Sequence, residues 1–522
     1  MKTKRIAVCL ALAGLLAVSA RAEVKVSNLF SDNMVLQREK PAPVWGTADP
    51  GEKVTVQIGH TKATATADAQ GKWMAKLPAS KANSTPRDLT ITGKNTLTIK
   101  KVLVGDVWIC SGQSNMEMEV NGCNARDDIA AADYPTLRQI KFDHVATGKP
   151  TQNVVRGWEV CTPRTAGGFT AVGFYFANRI QKDVKVPIGL INDNWGGTRI
   201  EPWIPPCGFE MEPSLTGMLS DLNKREQEYR DSLLKSLDEM QKWLDEARKT
   251  LAASPNADLP NPPEMPGSPM TDAGSPTTLF NGMIAPVVPF AIKGALWYQG
   301  ESNGGEGDEY FVKMRALING WRKVFEQGEF PFYFVQLANY EEPNDNPEGG
   351  NDWARLRMAQ TKSLEIPKTG MAVIIDIGEA KDIHPKNKFD VGNRLALWAL
   401  RNDYGQKKLV YSGPLYKGMK VEGNKIRISF DSVGSGLMVG KKDGRNPTVE
   451  DKGAKLKRFA IAGEDKKWAW ADAAIDGNTL VVSSPQVPNP VAVRYAYSMN
   501  PEGCNLYNKE GLPASPFRTD SW

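Results

Sequence analysis

Residues 102–116 read VLVGDVWICSGQSNM. The first nine are apolar almost throughout, as in a strand buried on both faces. Gly112 then allows a sharp turn, so a short loop delivers Ser114 at the strand's carboxyl end. Residue 116 is Met, so this is not the G-x-S-x-G elbow of α/β-hydrolases. Two readings of Ser114 stand side by side. It is an activated nucleophile, or it caps the helix that follows.

Outward from this strand, about 101–405 alternates strands with helices. VPIGLIND (186–193), IKGALWYQ (292–299), FPFYFVQL (330–337) and GMAVIIDIG (370–378) read as buried strands. VGFYFANRIQKDV (172–184), YFVKMRALINGWRKVF (310–325) and NRLALWALRNDYG (393–405) read as amphipathic helices. The alternation predicts an α/β fold, a parallel sheet covered on both faces, with ligands beyond the strands' carboxyl ends. An insertion at about 208–277 interrupts it. Leucines from Leu215 to Leu251 recur at three- and four-residue steps, predicting an amphipathic helix or helical pair packed on its own domain, with a coiled-coil seam as the alternative. A Pro-rich stretch follows that cannot be helical.

The flanks differ. Residues 23–100 carry short alternating runs between turns, predicting a small β-sandwich, and 406–522 return to strands and turns. The aromatic-rich end, RYAYSMNPEGCNLYNKEGLPASPFRTD, reads as core and turn, with a glycan platform as the alternative. Residues 1–22 combine a basic start, an apolar core and Ala20-Arg21-Ala22, so they read as a signal peptide and the protein as exported, to the periplasm or beyond the cell. No run is long enough for a membrane span.

The formal charge is +5, but the first 22 residues hold four bases and no acid, leaving the rest near +1. That balance argues against nucleic acid as a partner. Five cysteines follow the signal segment, an odd number whose pairing and bearing on oligomeric state the spacing leaves open. His60, His144 and His384 are far apart, which argues against a zinc site.

A serine attacks only if a base takes its proton. His60 lies in the first β region and His144 in a loop. His384, in AKDIHPKNKFD, falls between a strand and a helix on the same edge as Ser114. Asp382 is two residues away, with Asp376 and Glu379 upstream, as candidate acceptors for the ring. An oxyanion needs donors. NWGGTRIEPW offers Gly196 and Gly197, and WYQGESN offers Gln299 and Gly300.

Together these motifs resemble the sialate O-acetylesterases, a branch of the SGNH (GDSL-like) hydrolases. The likeness runs from LFSDNMVLQ through ICSGQSNMEM, NWGGTRIEPW, LFNGMIAPVVPFAIKGALWYQGESN and DIHPKNK to NLYNKEGLPASPFRTD. It implies a three-layer α/β/α hydrolase domain between β-rich flanks, removal of acetyl esters from sialic acids or sialoglycans, and no cofactor. It implies Ser114 as nucleophile, His384 as general base, and the Ser114 N–H, Gly196 and Gln299 as oxyanion donors. Many SGNH enzymes carry Asp-x-x-His, whereas position 381 here is Lys. Asp382 is therefore the triad candidate, with Asp376, Glu379 or a backbone carbonyl as alternatives. Arg199 is the candidate for a sialate carboxylate, or else a structural ion pair. An acetylxylan-type esterase with the same machinery is the enzymatic alternative, and a non-catalytic glycan-binding protein the alternative from another class.

Overall fold

The computed structural model describes residues 23–152 and 156–522; the expected signal peptide lies outside them. The sheet that carries the site is built on β1 (Thr96–Gly112), β2 (Tyr134–Lys141), β3 (Glu159–Cys161), β4 (Ile188–Asn194), β5 (Gly294–Tyr298), β6 (Phe332–Val335) and β7 (Thr369–Ala372). Their order is β3-β2-β4-β1-β5-β6-β7. All pairings are parallel except β3 with β2, which is antiparallel. The sheet is therefore mixed, a correction to the all-parallel expectation. β3 is three residues long, too short to leave an apolar run in the sequence.

Alternate side chains of β1 enter two different cores. Ile109, Ile191, Ala295, Trp297 and Phe334 share one with the buried face of α4 (Asp308–Phe325). Trp108, Cys110, Leu190, Leu296 and Tyr333 share the other with α2 (Ala171–Val184) and α6 (Lys388–Asn402). This period-two division explains why β1 is apolar at nearly every position.

β1 also crosses the boundary expected at 100/101. Its first half pairs antiparallel with Asn83–Thr92, and its middle pairs parallel with Val35–Gln37. Lys101, at φ 57°, marks the bend between the two roles. The other strands before residue 96 extend this sheet or form a second one of Lys25–Val26, Ala42–Thr47 and Lys72–Leu77.

The insertion holds one long helix, α3 (Thr216–Ala253), and not a long helical pair. Only Leu222 and Ala247 are buried in it, while Leu234, Leu237 and Leu251 are exposed. Its half-buried stripe meets its own Pro-rich return: Trp243 donates to the Pro260 carbonyl and Ser268 to Glu226. Packing along the main body of the domain is thus limited, because the extended return covers the stripe instead. Among the described residues no helix is long and apolar enough to cross a membrane.

After residue 414 two four-stranded antiparallel sheets enclose a core of Ile426, Ile428, Ile461, Leu480 and Val493. Tyr495, Tyr497, Tyr507 and Phe517 of the aromatic-rich end are buried, as its structural reading expects. All five described cysteines are free thiols.

Candidate active site

Three strands end at one place. Gly112 closes β1 at φ 137°, and a Cβ there would lie 2.1 Å from the Tyr298 carbonyl oxygen at the end of β5. Only glycine lets β1 turn so near its neighbour. The chain then enters α1 (Ser114–Glu117), a single turn begun by Ser114, with Gln113 in the N-cap position. Ser114 is therefore not the cap. Its half-buried hydroxyl lies 2.8 Å from His384 Nε2 across 270 residues of sequence. That is hydrogen-bond distance for a serine and its base.

Burial holds the His384 imidazole below its ordinary range, with the Lys388 ammonium pressing the same way and Asp382 opposing. The ring is thus neutral at neutral pH and able to accept the serine proton. Asp382 Oδ1 accepts the His384 backbone N–H at 2.9 Å and lies 3.7 Å from ring Nδ1. The second distance is too long for a hydrogen bond. Asp382 Oδ2 pairs with Lys386 at 2.9 Å, a contact that keeps the carboxyl below its usual range. The alternatives are committed elsewhere. Asp376 forms a bidentate pair with Arg394 and accepts from Tyr507, and Glu379 caps the Lys386 N–H.

The expected donors divide. The Ser114 N–H has no acceptor among the described residues. The Gly196 backbone lies against Ser114, yet its N–H donates to Glu117 Oε2 at 2.6 Å. Gln299 is fully buried, and its NH2 group is within 3.2 Å of three oxygens: Gln113 Oε1, Thr198 O and Asn303 Oδ1. With both hydrogens spent on these acceptors, the Gln299 amide braces the loop. Arg199 is paired with Glu201 and Glu306 and donates to the Ser302 carbonyl. His60 lies in an exposed hairpin turn away from these strand ends.

Three residues beside the pair had no assigned role. Asn115 donates to Glu301 at 2.6 Å and to the Ile383 carbonyl at 3.0 Å. Its oxygen accepts from the buried Lys388 ammonium at 2.6 Å, which also donates to the Pro385 carbonyl. These bonds clamp the His384 loop to the Ser114 turn. Burial lowers the Lys388 pKa to about 8 and raises that of Glu301. All three lie inside SGQSNM, GESN and DIHPKNK, and that placement was the available signal.

A model of the sialic acid-specific acetylesterase family of carbohydrate esterases matches residues 266–401. The sialate O-acetylesterases of Mus musculus and Homo sapiens are each 28% identical, over 96% of this chain and 95% and 93% of theirs. A crystal structure of a carbohydrate acetylesterase from Xanthomonas citri superposes with a TM-score of 0.78. It is 37% identical and covers 96% of this chain and 100% of its own. A relative this similar over nearly the whole length, together with the family model's match, leads to one conclusion: the chain belongs to the sialic acid-specific acetylesterase family of carbohydrate esterases and is an ester hydrolase.

Proposed function

We propose that the protein removes O-acetyl groups from sialic acids on glycans through an acetyl-enzyme on Ser114. The observation that carries the mechanism is the 2.8 Å contact between Ser114 Oγ and His384 Nε2. Ser114 Oγ attacks the acetyl carbonyl while His384 takes its proton. The Ser114 N–H receives the oxyanion, joined by the Gly196 N–H once Glu117 yields it. His384 passes the proton to the departing sugar oxygen, then activates the water that frees acetate. Asp382 acts on His384 through its field and by holding the backbone. The reading includes a three-layer SGNH hydrolase domain within 101–405, between β-rich flanks, and export directed by residues 1–22.

Sialic acid as the sugar is supported by the relatives' names. A second reading, an acetylated neutral polysaccharide such as xylan, is favoured by one observation. Arg199, the cation expected to meet a sialate carboxylate, is already neutralised by Glu201 and Glu306. Acetate release from O-acetylated sialoglycoprotein and from acetylated xylan, with Ser114→Ala as control, separates them. Serine-dependent release from the sialoglycan supports the first reading. Release mainly from xylan keeps the mechanism and replaces the substrate, and release that survives Ser114→Ala defeats the mechanism.

A further inference from the structure

Glu117, which must yield the Gly196 amide in the mechanism above, and His144 stand beside Ser114. Glu117 follows Ser114 by three positions in α1. Its Oε2 accepts the Gly196 N–H at 2.6 Å, and its Oε1 lies 2.9 Å from His144 Nε2. The His144 ring stacks on Trp195, with centroids 4.5 Å apart and 8° between the planes. The carboxylate is thus held from two sides, by the glycine amide and by a ring resting on the residue just before that glycine. Gly196 itself lies against the nucleophile: a Cβ there would fall 3.2 Å from Ser114 Cβ and 3.1 Å from Glu117 Oε2. A carbonyl oxygen bound at Ser114 and a Glu117 carboxylate therefore need the same N–H.

We propose that Glu117 is a positioning residue that competes, from within the chain, for the Gly196 amide. It holds the amide in the empty site, yields it to the acetyl carbonyl as the oxyanion develops, and retakes it as acetate leaves. The inference rests on Ser114 as nucleophile and Gly196 as its donor. The chemistry of exchange is symmetrical, since free acetate and Glu117 offer the same group to the same N–H. Glu117 is tethered, so its effective concentration there exceeds that of product in solution. The oxyanion is bonded to Ser114 and has a second donor in the Ser114 N–H, advantages that free acetate lacks. His144 keeps the displaced carboxylate close enough to return.

The test measures the inhibition constant of sodium acetate and the second-order rate of Ser114 inactivation by diethyl p-nitrophenyl phosphate, with thermal unfolding as a check on the fold. In Glu117→Ala acetate should bind about tenfold more tightly and inactivation should quicken, the size of one charge-assisted hydrogen bond no longer contested. Glu117→Gln, whose neutral oxygen accepts more weakly, should fall between it and the wild type. His144→Phe keeps a ring against Trp195 but loosens Glu117, and should move both quantities the same way by less. Unchanged or weaker acetate binding in folded Glu117 variants overturns the proposal, because a purely structural role predicts a damaged site. If those variants do not fold, His144→Phe decides: acetate binding no tighter than wild type overturns it. Acetate release that persists in Ser114→Ala defeats the underlying mechanism instead, so the two failures are distinguishable.

Discussion

The strand leading to the Ser114 turn and the inserted helix α3 make opposite use of apolar residues. At residues 102–116 the apolar run is buried on both sheet faces and ends in a turn where the Asn115 side chain is fully engaged. In α3 (Thr216–Ala253) the leucines recur with helical period, yet Leu234 and Leu237 are exposed. Periodicity reports the backbone conformation; what covers the face depends on chain elsewhere. In the first region that chain is the rest of the sheet, and in the second it is a Pro-rich return that covers one stripe only.

Substitutions should widen this contrast, the turn being intolerant and the helix indifferent. His384→Ala should lower kcat on the order of 10⁴-fold or more with the fold retained, read by acetate release and circular dichroism. Asn115→Ala removes the clamp and strands the buried Lys388 ammonium, so it should cost about 3 kcal/mol in chemical denaturation as well as activity. A comparable activity loss without destabilisation would show that Asn115 acts on substrate and not on the loop. Asp382→Asn should cost less than about tenfold in kcat, since the carboxylate acts across 3.7 Å without a ring hydrogen bond. At the quiet end, Leu234→Ser with Leu237→Ser should change stability by no more than about 0.5 kcal/mol. A larger loss would mean that these leucines are covered in solution.

The pH profile sharpens the same picture. With His384 held below its ordinary value, kcat/KM should be level at neutral pH and fall on the acid side, with a midpoint below about 6.5. Asp382 raises the His384 pKa, so Asp382→Asn should move that limb to lower pH. A shift to higher pH would mean that some other group carries the acid limb.

The long apolar strands and the helices of α/β type were readable because two-sided burial and amphipathic period leave strong patterns. Two elements escaped for a shared reason. β2 buries Arg138, and α5 (Asp352–Lys362) buries Arg357 and Gln360. Arg357 donates to four backbone carbonyls, so a position that looks solvent-facing lies fully inside. At the site, the contact of Ser114 with His384 joins two residue types that the sequence places at strand ends. The ion pairs of Arg199 and the spent amide of Gln299 were not legible, because their partners lie from 2 to 186 residues away and no single motif's spacing encodes the set. Glu117 and His144 escaped likewise, meeting only because both lie against the Trp195–Gly196 turn.

The strand Thr96–Gly112 has a consequence for modularity. The segment that leads to Ser114 starts as the antiparallel neighbour of Asn83–Thr92 and holds Val35–Gln37 on the way. Cutting the gene at this junction would not release an accessory piece. It would strip the hydrogen-bonded neighbours from the strand that carries Ser114, leaving an open edge in a hydrophobic chain. In recombination, the first β region and the hydrolase sheet should therefore travel together. The C-terminal sheets, joined to the site through side-chain contacts such as Asp376 with Tyr507, are not threaded through that strand.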